Sequence, residues 1–258
     1  MPQQTALITG ASAGIGLELA KLFAADKNNL VLVARSQDKL EALAEAVRRE
    51  HGVDALVLPH DLTDPTAPQA IFERLTSQGV VVDVVVNDAG FGSVGSVADL
   101  PLERQLNMVQ VNVVALTHLT TLFLPGMVER RRGGVLNVGS TAGFQPGPNM
   151  AVYYATKAFV LSFTEALAEE LIGTGVSASC LAPGPTETGF GADSGMGESI
   201  IFRLGTMDAA RVARIGYRGF RRGKAVVIPG WMNRLGASCV RFAPRALVRK
   251  LVKRLQQN

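Results

Sequence analysis

Thr9-Gly10-Ala11-Ser12-Ala13-Gly14-Ile15-Gly16 follows a short apolar run, Ala6-Leu7-Ile8, and opens a stretch whose apolar residues recur at helical spacing over 15–25. A strand entering a glycine-rich turn and leaving as a helix is the arrangement that holds a pyrophosphate. Gly10 permits the tight turn. Gly14 and Gly16, with Ser12 and Ile15 between and beside them, let the backbone approach an anion at the helix N-terminus, where unpaired N–H groups and the dipole favour negative charge. The spacing is Gly-x-x-x-Gly-x-Gly rather than Gly-x-Gly-x-x-Gly, so position between strand and helix carries the dinucleotide reading.

Outward from this turn, short apolar runs alternate with longer amphipathic ones. Strands are expected over 6–9, 30–34, 55–58, 80–86, 135–138, 176–181 and 225–228. Helices are expected over 15–25, 40–51, 67–75, 151–172 and, as one long element, 102–128. Continuous apolar strands separated by helices predict a parallel sheet buried on both faces, and right-handed crossovers make it an α/β, Rossmann-like, doubly wound domain. A single catalytic domain is expected over 1–230, with a basic helical extension over 231–258.

The 258 residues, 47% of them hydrophobic, suffice for a substantial core. Two cysteines, Cys180 and Cys239, cannot build a disulfide framework, and with His51, His60 and His118 they offer no zinc-ligand spacing, so no metal is expected. No apolar run approaches the ~18 residues of a membrane span, and no basic-then-apolar leader precedes the first strand. A cytoplasmic protein is the expectation. The net charge of +4 conceals a division: residues 1–208 hold thirteen Lys and Arg against twenty-two Asp and Glu, and the thirteen cations after Asp208 face no acidic residue at all. Such segregation points to a partner surface.

The end of the second strand selects the dinucleotide. An NAD site places Asp or Glu there for the ribose hydroxyls; this chain has Ala34-Arg35-Ser36. A guanidinium at Arg35 pairs with a 2′-phosphate that a carboxylate would repel, with Ser12 and Lys39 as helpers. The alternative is a solvated surface arginine. NADP(H) is favoured over NAD(H).

Tyr153 and Lys157 stand at i and i+4, on one face of a helix. Together with TGASAGIG, Asp61-Leu62, Asn87-Asp88-Ala89-Gly90, Asn112, Ser140 and Pro183-Gly184, they occur in an order and spacing that resembles the short-chain dehydrogenase/reductase family, over residues 5–229. The resemblance implies a tetrad of Asn112, Ser140, Tyr153 and Lys157. Tyr153 would donate a proton to a carbonyl oxygen while the nicotinamide delivers hydride, and Lys157 would hold the ribose and favour the phenolate. Ser140 would orient the carbonyl, and Asn112 would keep a water near the lysine. It also implies cofactor contacts from Asp61, Leu62, Asn87, Ala89, Gly90, Pro183, Gly184 and Thr186. Asp88 departs from the family's commoner asparagine. Tyr154, at i, i+3 from Lys157, is the internal competitor for the acid role.

The segment 187–205 resembles the family's substrate lid. Its Phe190, Met196, Ile200, Ile201, Phe202 and Leu204, with Phe144 and Met150, either wall an apolar pocket or dock the lid on the core. No residue stands out as a receptor for an anionic substrate, so a ketone or acyl-chain carbonyl is preferred, reduced or formed from the alcohol. Beyond Pro229, Leu247, Leu251 and Leu255 recur every four residues beside Val248 and Val252, among five cations of a helix starting at Pro244. Such a helix over 244–257 can lie on an anionic membrane, pack on the acidic body, join a subunit or stay solvated. Nucleic acid is not expected, because no aromatics interleave the basic run. The resemblance implies a homo-dimer or tetramer. The competing reading is a catalytically idle NADP-binding sensor or scaffold recruited through the basic tail.

Overall fold

β1 (Thr5–Thr9) alternates its side chains between two cores: Ala6 and Ile8 pack on one face of the sheet and Leu7 on the other, all fully buried. That two-sided burial is why the strand reads as an unbroken apolar run rather than an alternation. The computed structural model describes residues 3–195 and 205–255. In chain order β1 is followed by α1 (Gly14–Ala25), β2 (Asn29–Ala34), α2 (Gln37–His51), β3 (Ala55–Pro59), α3 (Ala67–Ser77) and β4 (Val84–Asn87). Then come α4 (Leu102–Val109), a π-helical turn (Gln110–Ala115), α5 (Leu116–Glu129), β5 (Gly133–Val138), α6 (Ala151–Glu170) and β6 (Val176–Leu181). The chain continues through β7 (Thr186–Glu187), α7 (Phe190–Ser194), β8 (Met207–Asp208), α8 (Ala209–Phe220), β9 (Val226–Val227), α9 (Trp231–Val240) and α10 (Arg245–Leu255).

Seven parallel strands lie in the order β3-β2-β1-β4-β5-β6-β9. The order reverses between β1 and β4, and the crevice at their carboxyl ends is where an open α/β sheet receives its ligand. One core joins the sheet to α1, α2 and α8, the other to α3, α5 and α6. Glycine lets α8 lie close: a Cβ on Gly216 would meet Leu181 at 2.5 Å.

Several elements depart from the sequence expectation. β4 starts at Val84 rather than residue 80, because its ladder with β1 begins at Ala6↔Val84. Ahead of it Asp83 donates its N–H to the Thr5 carbonyl at 2.9 Å, and its buried carboxylate accepts from the Thr5 N–H at 3.1 Å and from Arg132 Nη2 at 3.0 Å. The long helix does run from Leu102 to Glu129, but with a π-helical turn inside it. Contrary to the expectation that no run is long enough, it has the length and apolar composition to cross a membrane. Here its Val111, Ala115, Leu119, Phe123 and Met127 are built into the core. Helices α7, α8 and α9 and strands β7 and β8 have no counterpart in the sequence expectation. In α10 the apolar arc divides: Val248 and Val252 are buried against Met108, Met150 and Tyr154, while Leu247 and Leu251 face solvent.

β7 and β8 pair in parallel and clasp the base of the segment between them, reinforced by Thr206 Oγ1 donating to Glu187 Oε1 at 2.7 Å. Met196, Ile200, Ile201, Phe202 and Leu204 lie outside the described residues.

Candidate active site

A cleft of about 1260 Å³ runs across the carboxyl ends of the strands, from the glycine-rich turn to α6. At one end, Gly10 and Gly14 take left-handed backbone angles, φ +70° and +57°. Thr9 organises the neighbouring strand end: its hydroxyl donates to the Val86 carbonyl and accepts the N–H groups of Asp88 and Ala89, both at 3.1 Å. Helix α1 has no side-chain cap and no acid in its first turn, so the N–H groups ahead of Gly16, whose own N–H meets Asp88, remain available to an anion. Gly10, Ser12, Gly14 and Ile15 line the cleft. Gly16 does not; a Cβ there would sit 2.6 Å from the Gly10 carbonyl oxygen, so this glycine lets the turn close rather than touching a ligand.

Along the adenosine side, Arg35, Asp61, Leu62, Ala89 and Gly90 line the cleft as expected. Arg35 is exposed at the end of β2 and, among the described residues, has no ion-pair partner. Asp61 Oδ1 accepts the Thr63 N–H at 2.9 Å. Two expected contact residues lie off the cleft wall. Lys39 is exposed on α2. Asn87 is buried between strands, its amide donating to Asn137 Oδ1 at 2.9 Å and Thr120 Oγ1 at 3.1 Å, so its side chain ties β4 to β5 and α5.

Asp88 is half-buried in the cleft floor, where its carboxylate accepts the Gly16 N–H. Burial pushes its carboxyl up to about 7, against the opposing pull of Lys157 and of that N–H. The acid thus sits where it can be neutral at physiological pH, close in hydrogen-bonding character to the asparagine it replaces.

At the other end α6 presents Tyr153 and Lys157 to the cleft. Ser140 closes β5 and caps a short 3₁₀ turn (Thr141–Phe144), accepting the Ala142 N–H at 3.1 Å. Its hydroxyl also hydrogen-bonds the Tyr153 phenol. Lys157 is buried; its Nζ donates to the Val138 carbonyl at 2.8 Å and lies 5.9 Å from the Tyr153 ring centroid. Desolvation lowers its pKa, and Asp88 and then Cys180 counter this by favouring the charged form. Lys157 is not among the groups that shift the phenol here. Burial pushes Tyr153 above its ordinary value and the Ser140 hydrogen bond pulls it partly back, so the phenol keeps its proton at neutral pH.

Asn112 lies in the π-helical turn, buried and not on the cleft wall. Its side chain donates to the Phe91 carbonyl at 3.0 Å and Thr156 Oγ1 at 3.1 Å, and accepts the Phe91 N–H at 3.1 Å. All three bonds hold the loop after Gly90 against α6. Pro183, Gly184 and Thr186 line the opposite wall, with Thr186 Oγ1 donating to the Gly184 carbonyl at 2.9 Å.

Of the expected apolar wall, Phe190 lines the cleft, its ring centroid 5.3 Å from that of Tyr153. Met150 lies behind it, and Phe144 faces a second, smaller cavity. The sequence reading missed Arg104, Met232 and Asn233, all on the wall. Arg104 lies over Phe91, bonds Ser93 Oγ, and donates to the carbonyls of Gly92 at 3.2 Å and Asp193 at 2.9 Å, which ties α7 to the loop. Only its place three residues into an amphipathic helix could have flagged it. Asn233 packs so closely on Gly184 that a Cβ there would meet it at 2.6 Å.

Residues 4–198 match the family profile described as short chain dehydrogenase. Over 256 residues, covering 99% of both chains, the sequence is 31% identical to an uncharacterized oxidoreductase of Myxococcus xanthus. It is 34% identical over 192 residues to the ketoacyl reductase HetN of Nostoc, covering 74% of this chain and 67% of that one. Other curated relatives are longer, and the chain spans 62% of one and 53% of another. A short-chain dehydrogenase from Sphingobium yanoikuyae, solved in complex with NADPH, superposes with a TM-score of 0.84 at 33% identity over 95% of both chains.

Proposed function

Since the chain belongs to the short chain dehydrogenase family, an NAD(P)-dependent oxidoreductase acting between alcohol and carbonyl, we propose that it is an NADP(H)-dependent reductase of apolar ketones or acyl-chain carbonyls. The observation that carries this reading is Tyr153, held in the cleft by Ser140 with its proton retained and Lys157 one turn away. The open glycine cradle, the uncapped α1 and the cleft volume fit a dinucleotide. The unpaired Arg35, with no acid at the end of β2, fits a 2′-phosphate. The NADPH in the Sphingobium neighbour supports the same preference.

When bound, the nicotinamide supplies or accepts the hydride. The chain's own groups do the rest. Backbone N–H groups at the start of α1 would hold the pyrophosphate, and Arg35 the 2′-phosphate. The Ser140 hydroxyl and the Tyr153 phenol converge on the substrate oxygen, fixing its orientation. Tyr153 gives that oxygen a proton in reduction and takes one in oxidation. Lys157, one turn from Tyr153, would hold the ribose and, in its protonated form, would favour the phenolate left after transfer. Phe190 and Met232 give the substrate end an apolar lining. The relation to a ketoacyl reductase supports acyl-chain carbonyls within that class. Cys180, a buried thiol pushed up to about 12, and the exposed Cys239 are both free, which suits a reducing compartment. The exposed apolar row Leu102, Leu106 and Val109 on α4 is the surface we assign to self-association.

The test is NADPH oxidation over a panel of ketones and 3-oxoacyl thioesters of graded chain length. Turnover that rises with apolar chain length bears the proposal out. Tight NADPH binding without turnover of any member would replace it with the idle-sensor reading.

A further inference from the structure

Seven of the thirteen cations after Asp208 lie in residues 231–254, among exposed apolar side chains. Trp231, Met232 and Leu235 of α9 stand at i, i+1 and i+4 and are all exposed, Trp231 at 73%. Phe242, between α9 and α10, is 89% exposed, and Leu247 and Leu251 on α10 are 60% and 55% exposed. Lys250 and Arg254 lie three residues beyond Leu247 and Leu251, so the two leucines and two cations share one side of the helix. The buried side, Val248 and Val252, already faces the body.

Arg234, Arg241 and the five cations of α10 form no ion pair among the described residues, although the body they pack on carries the acidic excess. Packing on its own body therefore accounts for the valines and leaves the cations without counter-charge. A two-fold contact with a second copy would set cation against cation. Beside α10 a notch of about 280 Å³ is lined by apolar Phe144, Pro146 and Val248 and by two arginines, Arg241 and Arg245. An apolar floor with paired guanidinium groups is the chemistry that seats a phosphodiester over hydrocarbon.

We propose that residues 231–254 form a docking face for an anionic phospholipid bilayer. Trp231, Phe242, Leu247 and Leu251 enter the interface, where amphipathic and aromatic side chains are favoured, and the cations meet the headgroups. Met232 is both exposed on this face and part of the cleft wall, so docking brings the substrate end of the cleft to the bilayer surface. That last consequence rests on the apolar-carbonyl reading; the docking itself does not.

Co-sedimentation of the full chain with phosphatidylglycerol–phosphatidylcholine vesicles tests it, with pure phosphatidylcholine alongside. The wild type should pellet with the anionic vesicles and be released by high salt. Leu247→Glu with Leu251→Glu, and separately Arg241→Glu with Arg245→Glu, should each weaken the partition by about tenfold or more. Both double variants should keep the wild-type circular dichroism and NADPH affinity, which separates lost docking from lost folding. Three results would overturn the proposal: no pelleting with anionic vesicles, equal pelleting with pure phosphatidylcholine, or double variants that pellet like the wild type. Light scattering adds a fourth: if the leucine variant falls to a smaller species, a second copy covers the face.

Discussion

Tyr153 and Tyr154 both line the cleft and are separated only by their neighbours. Tyr153 meets Ser140 and Lys157, whereas the Tyr154 ring is packed against Gly147 and is the edge partner of Tyr153. Tyr153→Phe should lower kcat by about a hundredfold or more, while Tyr154→Phe should leave kcat within a few-fold, read by NADPH oxidation under saturating substrate. With the phenol held above its ordinary pKa, reduction should be flat across neutral pH. Oxidation of the matching alcohol should speed up as pH rises, because there Tyr153 must first lose its proton. Asp88 makes a different prediction. Its carboxyl is neutral below about 7 and negative above, so it increasingly repels a bound pyrophosphate as pH rises through that value. NADPH affinity should therefore fall several-fold between pH 6 and pH 8 in the wild type, and this fall should shrink in Asp88→Asn, by fluorescence titration. The reacting groups were legible because their types and spacing carry the chemistry. The duties of Thr9 and Asn87 were not: each is set by a contact across the sheet that no local spacing encodes.

Helix 102–129 shows what an element's sequence does and does not disclose. Its apolar rhythm marks the length, and one extra residue in a turn barely disturbs that rhythm, so the π-helical turn passes unseen. Yet the turn is what sets Asn112 between Phe91 and Thr156. Asn112→Ala removes three hydrogen bonds, one buried and two partly buried, and leaves the Phe91 N–H and carbonyl without this partner, which should cost about 2–4 kcal/mol in urea unfolding. Because the loop it holds borders Lys157, kcat should fall as well. The strands of the main sheet were read closely except β4, where β-branched residues extend beyond the stretch at which β1 offers a partner, while the two-residue β7 and β8 carry no apolar run to mark them. At the other extreme, α9 was invisible. A helix of ten residues holding Gly236, Ser238 and Cys239 has little propensity of its own, and it exists because Asn233 and Ala237 find the body.

At the scale of the whole molecule, the segment treated as an extension is a wall of the site. Val248→Ala with Val252→Ala should lower stability by about 1–3 kcal/mol and loosen the Tyr154 side of the cleft, seen as a lower Tm and a raised KM. Leu102→Glu with Leu106→Glu should reduce the oligomeric state in light scattering, since both lie on the exposed row of α4. The division between acidic body and basic end was plain in the sequence, but which side of α10 turns inward was not. Alternating leucine and valine make two apolar strips of similar strength, and only the shape of the body chooses between them. The contact of Asn233 with Gly184 gives that choice a thermodynamic meaning. It joins the Pro183–Thr186 turn of the cleft wall to a helix whose continuation ends in exposed cations. A ligand that shifted this turn on binding and the surface proposed to grip α10 would be coupled, and the coupling would run equally in both directions. On the proposed cofactor and docking, whatever factor NADPH added to the grip, the grip would return to NADPH.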